Sequence, residues 1–81
     1  MKDDEKWFLK QIYDKCRNGF IGKDGLSPRD IINSDECVSR MSYKRCWYLL
    51  SKWDKKGWYD YGVSDDLGWL TPKGIEVAKT L

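Results

Sequence analysis

The 81-residue chain contains no histidine. That removes the usual general base and the Ser-His and Cys-His arrangements of nucleophilic catalysis. Its three cysteines, Cys16, Cys37 and Cys46, are odd in number and form no Cys-x-x-Cys pair. A zinc site would have to borrow a carboxylate at a spacing that matches no common pattern. The expected state is reduced thiols, two of them packed on helix faces. There is no glycine-rich phosphate loop. The longest apolar run, Cys46 to Leu50, is far below the ~20 residues that span a bilayer. The opening Met1-Lys2-Asp3-Asp4-Glu5-Lys6 is too charged for a signal peptide. These absences together predict a cytoplasmic protein that is not an enzyme and holds no metal or cofactor.

Aromatic residues and a localised positive charge are what the chain does have. Five Trp, five Tyr and two Phe allow a small single core over residues 1–81, since each buried aromatic removes ~150–250 Å² from water. The net charge of +2 says little about partners by itself. Its distribution says more. Residues 39–56 carry six basic groups and one acidic, whereas residues 57–69 carry three aspartates and no base.

That basic segment is also the clearest helix. Read at about 100° per residue, Ser42 to Lys56 puts Tyr43, Cys46, Trp47, Leu49, Leu50 and Trp53 on one face. Lys44, Arg45, Ser51, Lys52, Lys55 and Lys56 fall on the other, with Tyr48 among them. Such a helix docks its aromatic back on a core and presents positive charge to a polyanion, double-stranded DNA above all. Lysines near a helix C-terminus also serve the helix dipole, and a basic face is often simply a solvated one. Arg40, Lys44, Arg45 and an exposed Tyr48 on the same face favour the binding interpretation.

Around this segment the pattern predicts helix, helix, helix, strand, strand, helix. The first helix runs from Asp3 or Asp4 to Arg17, burying Phe8, Leu9, Ile12, Tyr13 and Cys16, and Asn18-Gly19 ends it. Phe20-Ile21 then tucks onto the core before a Gly22-to-Gly25 turn. Ser27, Pro28 and Asp30 make a helix start with a capping box, anchored by Ile31 and Ile32. Residues 34–41 are expected as a connection in which Cys37 or Val38 plugs the core. Ser42, with Ser39 nearly as suitable, caps the third helix and Gly57 stops it. Two antiparallel strands follow, joined around Ser64-Asp65-Asp66, and Thr71-Pro72 opens a last helix.

This order, with a Leu26 segment able to pair with the hairpin, resembles the winged helix-turn-helix domain. The most specific pieces are Cys46, Leu50, Trp53, Gly57 and Trp58, and the Leu70-Thr71-Pro72-Lys73-Gly74 passage. The latter looks like the leucine-threonine-x-x-glycine segment after the wing of small bacterial and archaeal repressors. The multiple-antibiotic-resistance and phenolic-acid-response regulators are the types it resembles. The resemblance implies an α+β fold: a three-helix core, a two- or three-stranded antiparallel wing and a short C-terminal helix. It also implies a small transcriptional regulator; the short last helix, too small for a stable interface, predicts a monomer or weak dimer, and the compactness suggests a stand-alone factor of a mobile element, phage or virus.

By that resemblance the helix from Ser42 is the recognition helix. Tyr43, Lys44, Arg45 and Tyr48 take base-facing or groove-facing places, with Arg45 the foremost candidate for guanine. Arg40, Ser51, Lys52, Lys55 and Lys56 take phosphates. A wing usually carries basic residues, but this one carries Asp65 and Asp66 at its expected tip, with Asp60 nearby. That charge predicts a wing turned away from DNA or serving a protein partner. The alternative function is therefore a protein-interaction module using the acidic hairpin or an exposed aromatic patch.

Overall fold

A computed structural model of the chain describes residues 1–16 and 25–81. It is an α+β arrangement of five helices and one two-stranded antiparallel sheet among the described residues. The expected end of the first helix at Arg17, the Asn18-Gly19 stop, the Phe20-Ile21 tuck and most of the following turn lie outside those residues. The described part of α1 already closes earlier. It spans Asp3–Lys15, and Cys16 leaves it in an extended conformation to make a parallel bridge with Leu26. Leu26 thus bridges to the end of α1, where the expectation had it joining the hairpin.

Short polar caps set the next elements. α2, Pro28–Ile32, starts with the expected capping box: the Ser27 side chain accepts from the Asp30 amide and the Asp30 carboxylate accepts from the Ser27 amide at 2.8 Å. Residues 34–41, expected as a connection, instead contain a helix, α3, at Asp35–Arg40. Ser34 does two things there. Its hydroxyl donates to the Ile31 carbonyl at 2.6 Å and accepts from the Cys37 amide at 3.2 Å, closing α2 and opening α3. With six residues, α3 shows almost no periodicity: Cys37 is buried while its neighbour Val38 is exposed. The core before the hairpin therefore has four helices where three were expected.

α4, Tyr43–Lys55, is the long basic helix, with the Ser42 side chain accepting from the Arg45 amide at 3.1 Å. It ends in a Schellman motif. Gly57 has φ 78°, its amide donates to Asp54, and the Trp58 amide donates to Trp53 at 2.8 Å. The chain then enters β1, Tyr59–Asp60, which pairs with β2, Trp69–Leu70, in the register Tyr59 with Leu70 and Asp60 with Trp69. α5, Pro72–Lys79, is capped by Thr71, as expected. The Thr71 hydroxyl also donates to the Gly57 carbonyl at 2.6 Å, so one residue ties α4, the hairpin and α5 together. Gly74 is required for the same junction, because a Cβ there would collide with the Trp58 carbonyl.

The core joins Phe8, Leu9 and Ile12 of α1 to Cys46, Leu49, Leu50 and Trp53 of α4, with Ile31, Ile32, Cys37, Tyr59 and Leu70 around them. The Phe8 and Trp53 rings lie 5.4 Å apart. Trp47, expected in this core, is 39 % exposed. The buried arc of α4 centres on Cys46 and Trp53, and Trp47 sits about a third of a turn from it.

Candidate functional site

The outer surface of α4 divides into two strips. Cys46, Leu49, Leu50 and Trp53 are buried, which places Lys44, Tyr48, Ser51 and Lys55 on the opposite side at helical spacings of four, three and four. All four are exposed, Tyr48 at 58 %. This front carries no acidic side chain. Tyr43 and Trp47 flank it on one side. Tyr43, 55 % exposed, donates through its hydroxyl to Asn33 Oδ1 at 3.2 Å.

Arg45 and Lys52 lie on the other flank, turned toward α1. The Arg45 guanidinium grips Asp4 with two hydrogen bonds, Nε to Oδ2 at 3.0 Å and a terminal amine to Oδ1 at 3.2 Å. That bond holds the Asp4 carboxyl below its ordinary value and Arg45 above its own. The Lys52 ammonium meets Glu5 Oε1 at 3.0 Å, and the Trp53 indole N–H donates to Glu5 Oε2 at 2.9 Å. Glu5 is buried, which would raise its pKa. The hydrogen bonds from Trp53 and Lys52 and the charge of Lys52 outweigh that and bring it below the ordinary carboxylate value.

The remaining basic residues are arranged differently again. Arg40 makes a 3.3 Å ion pair with Glu36, and its guanidinium stands 4.6 Å from the centre of the Trp7 ring. Lys56 stands 5.0 Å from the Trp58 ring. Tyr48, Ser51, Lys52, Lys55 and Lys56 line an open groove of ≈ 250 Å³ along the C-terminal half of the front. Of the nine residues predicted for the site, the fold thus collects Lys44, Tyr48, Ser51 and Lys55 on one strip. It commits Arg45 and Lys52 to carboxylates of α1.

The hairpin corrects a further expectation. Asp65 and Asp66 lie between the strands as expected but are not an exposed tip: Asp65–Leu67 forms a 3₁₀ turn, and Asp66 is only 6 % exposed. Arg29 of α2 grips Asp66 through Nε at 2.6 Å and a second amine at 3.0 Å, and the Ser64 hydroxyl adds a third bond at 2.6 Å. These bonds, that of Arg29 foremost, lower the Asp66 pKa. The Tyr59 hydroxyl braces the same turn, donating to the Asp65 carbonyl and accepting from the Gly68 amide. Among the described residues the most exposed large apolar side chain is Val63, at 94 %.

Among the described residues, no group of three or more His, Cys, Asp or Glu is placed to hold a metal ion, and no helix is long and apolar enough to cross a membrane. Comparison with protein-family models, curated proteins and solved structures returns no match.

Proposed function

We propose that the chain is a winged helix-turn-helix domain that binds double-stranded DNA through the front of α4, as a small transcriptional regulator. The carrying observation is the strip Lys44, Tyr48, Ser51, Lys55, exposed along one side of a firmly seated helix and free of acidic side chains. Lys44 and Lys55 are separated by roughly 16 Å along the helix axis. A major groove is about 12 Å wide. A helix lying across it therefore brings the two lysines to opposite phosphate walls, with Tyr48 and Ser51 between them over the base edges. Lys56 at the end of α4, and Arg40 at the end of α3, whose ion pair with Glu36 is exposed, are assigned two further phosphates. β1, the 3₁₀ turn and β2 take the place of the wing. In this domain α2 and α3 together precede the recognition helix. Trp7 lies against the core beneath Arg40, and Ala78 of α5 is buried in the core, which supports a monomer in dilute solution.

Binding of a labelled 24-base-pair duplex across a salt series tests the proposal. Four phosphate contacts predict a log–log slope of about −3.6. No binding at 50 mM salt would overturn it. The second reading, a protein-interaction module, rests on the exposed Val63 at the turn of the hairpin, since of the acidic residues assigned to that role Asp66 is buried and Asp65 half-buried, and only Asp60 is exposed.

A further inference from the structure

The side chains available on the α4 front restrict which bases the helix can distinguish. Guanine is read by Arg or Lys reaching O6 and N7 together, adenine by an Asn or Gln amide, and cytosine by a carboxylate, and the two lysines of the front stand at its ends, where the phosphates claim them. The one guanidinium on α4, Arg45, has two nitrogens spent on Asp4. α4 contains no Asn or Gln, and Asn33, at the C-terminal end of α2, is engaged by the Tyr43 hydroxyl. The single carboxylate of α4, Asp54, lies off the front and toward the C-terminal end. What stands at the middle of the front is an aromatic ring: Tyr48, well exposed, with Lys44 one turn before it and Lys55 two turns after.

An exposed ring held between two cations matches one major-groove feature, the C5-methyl group of thymine. Resting on the proposed duplex binding, we infer that α4 selects A·T-rich DNA by apolar contact between Tyr48 and thymine methyl groups. The lysines anchor the helix on phosphates, and the ring reads methyl groups on the groove floor. The Arg45 guanidinium, 5.6 Å from the Tyr48 ring centre, supports the ring from the side turned toward α1. Each methyl removed from water by the contact is worth about 0.8 kcal/mol, or about fourfold in affinity.

Removing the methyl groups from the DNA tests this directly. Three 24-base-pair duplexes at 100 mM salt are compared by fluorescence anisotropy: alternating d(AT), the same duplex with deoxyuridine for thymidine, and alternating d(GC). The expected order is d(AT) tightest, with the deoxyuridine duplex weaker by at least about fourfold. Tyr48→Ala should bind both A-containing duplexes equally, and Tyr48→Phe should keep the difference. Equal binding of the thymidine and deoxyuridine duplexes by the unaltered protein would overturn the inference while leaving duplex binding intact. Tightest binding to d(GC) would overturn it in favour of guanine reading by Lys44. Failure to bind any duplex would overturn the inference together with the reading on which it rests.

Discussion

The front of α4 and its flank toward α1 carry the same kinds of residue and differ in what the rest of the chain has done with them. On the side facing α1, Arg45 and Lys52 are joined to Asp4 and Glu5. On the front, Lys44 and Lys55 are exposed, with an aromatic ring between them. A count of basic residues treats all four as one patch. The fold divides them into a pair that fastens α4 to α1 and a pair left exposed. Charge becomes a binding surface only where no internal carboxylate has claimed it.

The strongest way to break this division is to remove the internal carboxylate that is buried. Glu5→Ala should cost about 3 kcal/mol, because it leaves the Trp53 indole N–H buried without its acceptor and Lys52 without its counter-charge. A urea titration followed by tryptophan fluorescence would show the midpoint falling with little change in slope. An unchanged midpoint would mean that Glu5 does not fasten the helices.

The front should respond in the opposite manner. Lys44→Ala with Lys55→Ala should leave the urea midpoint nearly in place and lower duplex affinity about a hundredfold at 0.1 M salt, at about tenfold per lost phosphate contact. Lys52→Ala, by contrast, should lose stability and lose less affinity than either front lysine. Asp4→Asn sharpens the comparison from the other side. Freed from its carboxylate, Arg45 becomes available to phosphate, so affinity should rise up to about tenfold and the salt slope steepen by about one. The pair is partly exposed, so its loss should cost under about 1 kcal/mol of stability.

How much of this was legible in the sequence depends on the reach of each interaction. Ser27 with Asp30, Ser42 before α4, Gly57 after it and Thr71-Pro72 before α5 all act within a few residues, and each stands where the pattern put it. α3 was missed because six residues are too few to show a period, and Ser34, taken as the start of a connection, caps a helix instead. Trp47 was assigned to the core from a face drawn too wide. The pairs Asp4 with Arg45, Glu5 with Lys52 and Arg29 with Asp66 were invisible for a different reason. Each joins residues 37 to 47 apart in the chain, and no periodicity encodes such a meeting. The run of acids at the start of α1 opposite a run of bases on α4 was the one available signal.

The smallest expected effect concerns pH. Asp4, Glu5 and Asp66 all have folded pKa values below their ordinary 3.8, 4.5 and 3.8. Groups shifted downward contribute stability that is complete above those ordinary values and is lost as pH falls through the folded ones. With no histidine to titrate, and with Cys16 and Cys46 pushed up to about 12 by burial, the melting temperature should stay level from pH 5 to 8 and drop only below about pH 4. Circular-dichroism melts across that range would check it, and a step between pH 5 and 7 would point to a titrating group outside these three pairs.

The division of α4 is tested most directly by one comparison of salt slopes, that of the unaltered protein against Lys44→Ala with Lys55→Ala on the same 24-base-pair duplex. The account predicts about −3.6 for the former and a value flatter by about two for the double variant, with both proteins equally folded. Identical slopes for the two would contradict it, since the exposed front of α4 would then not be the surface that meets the DNA.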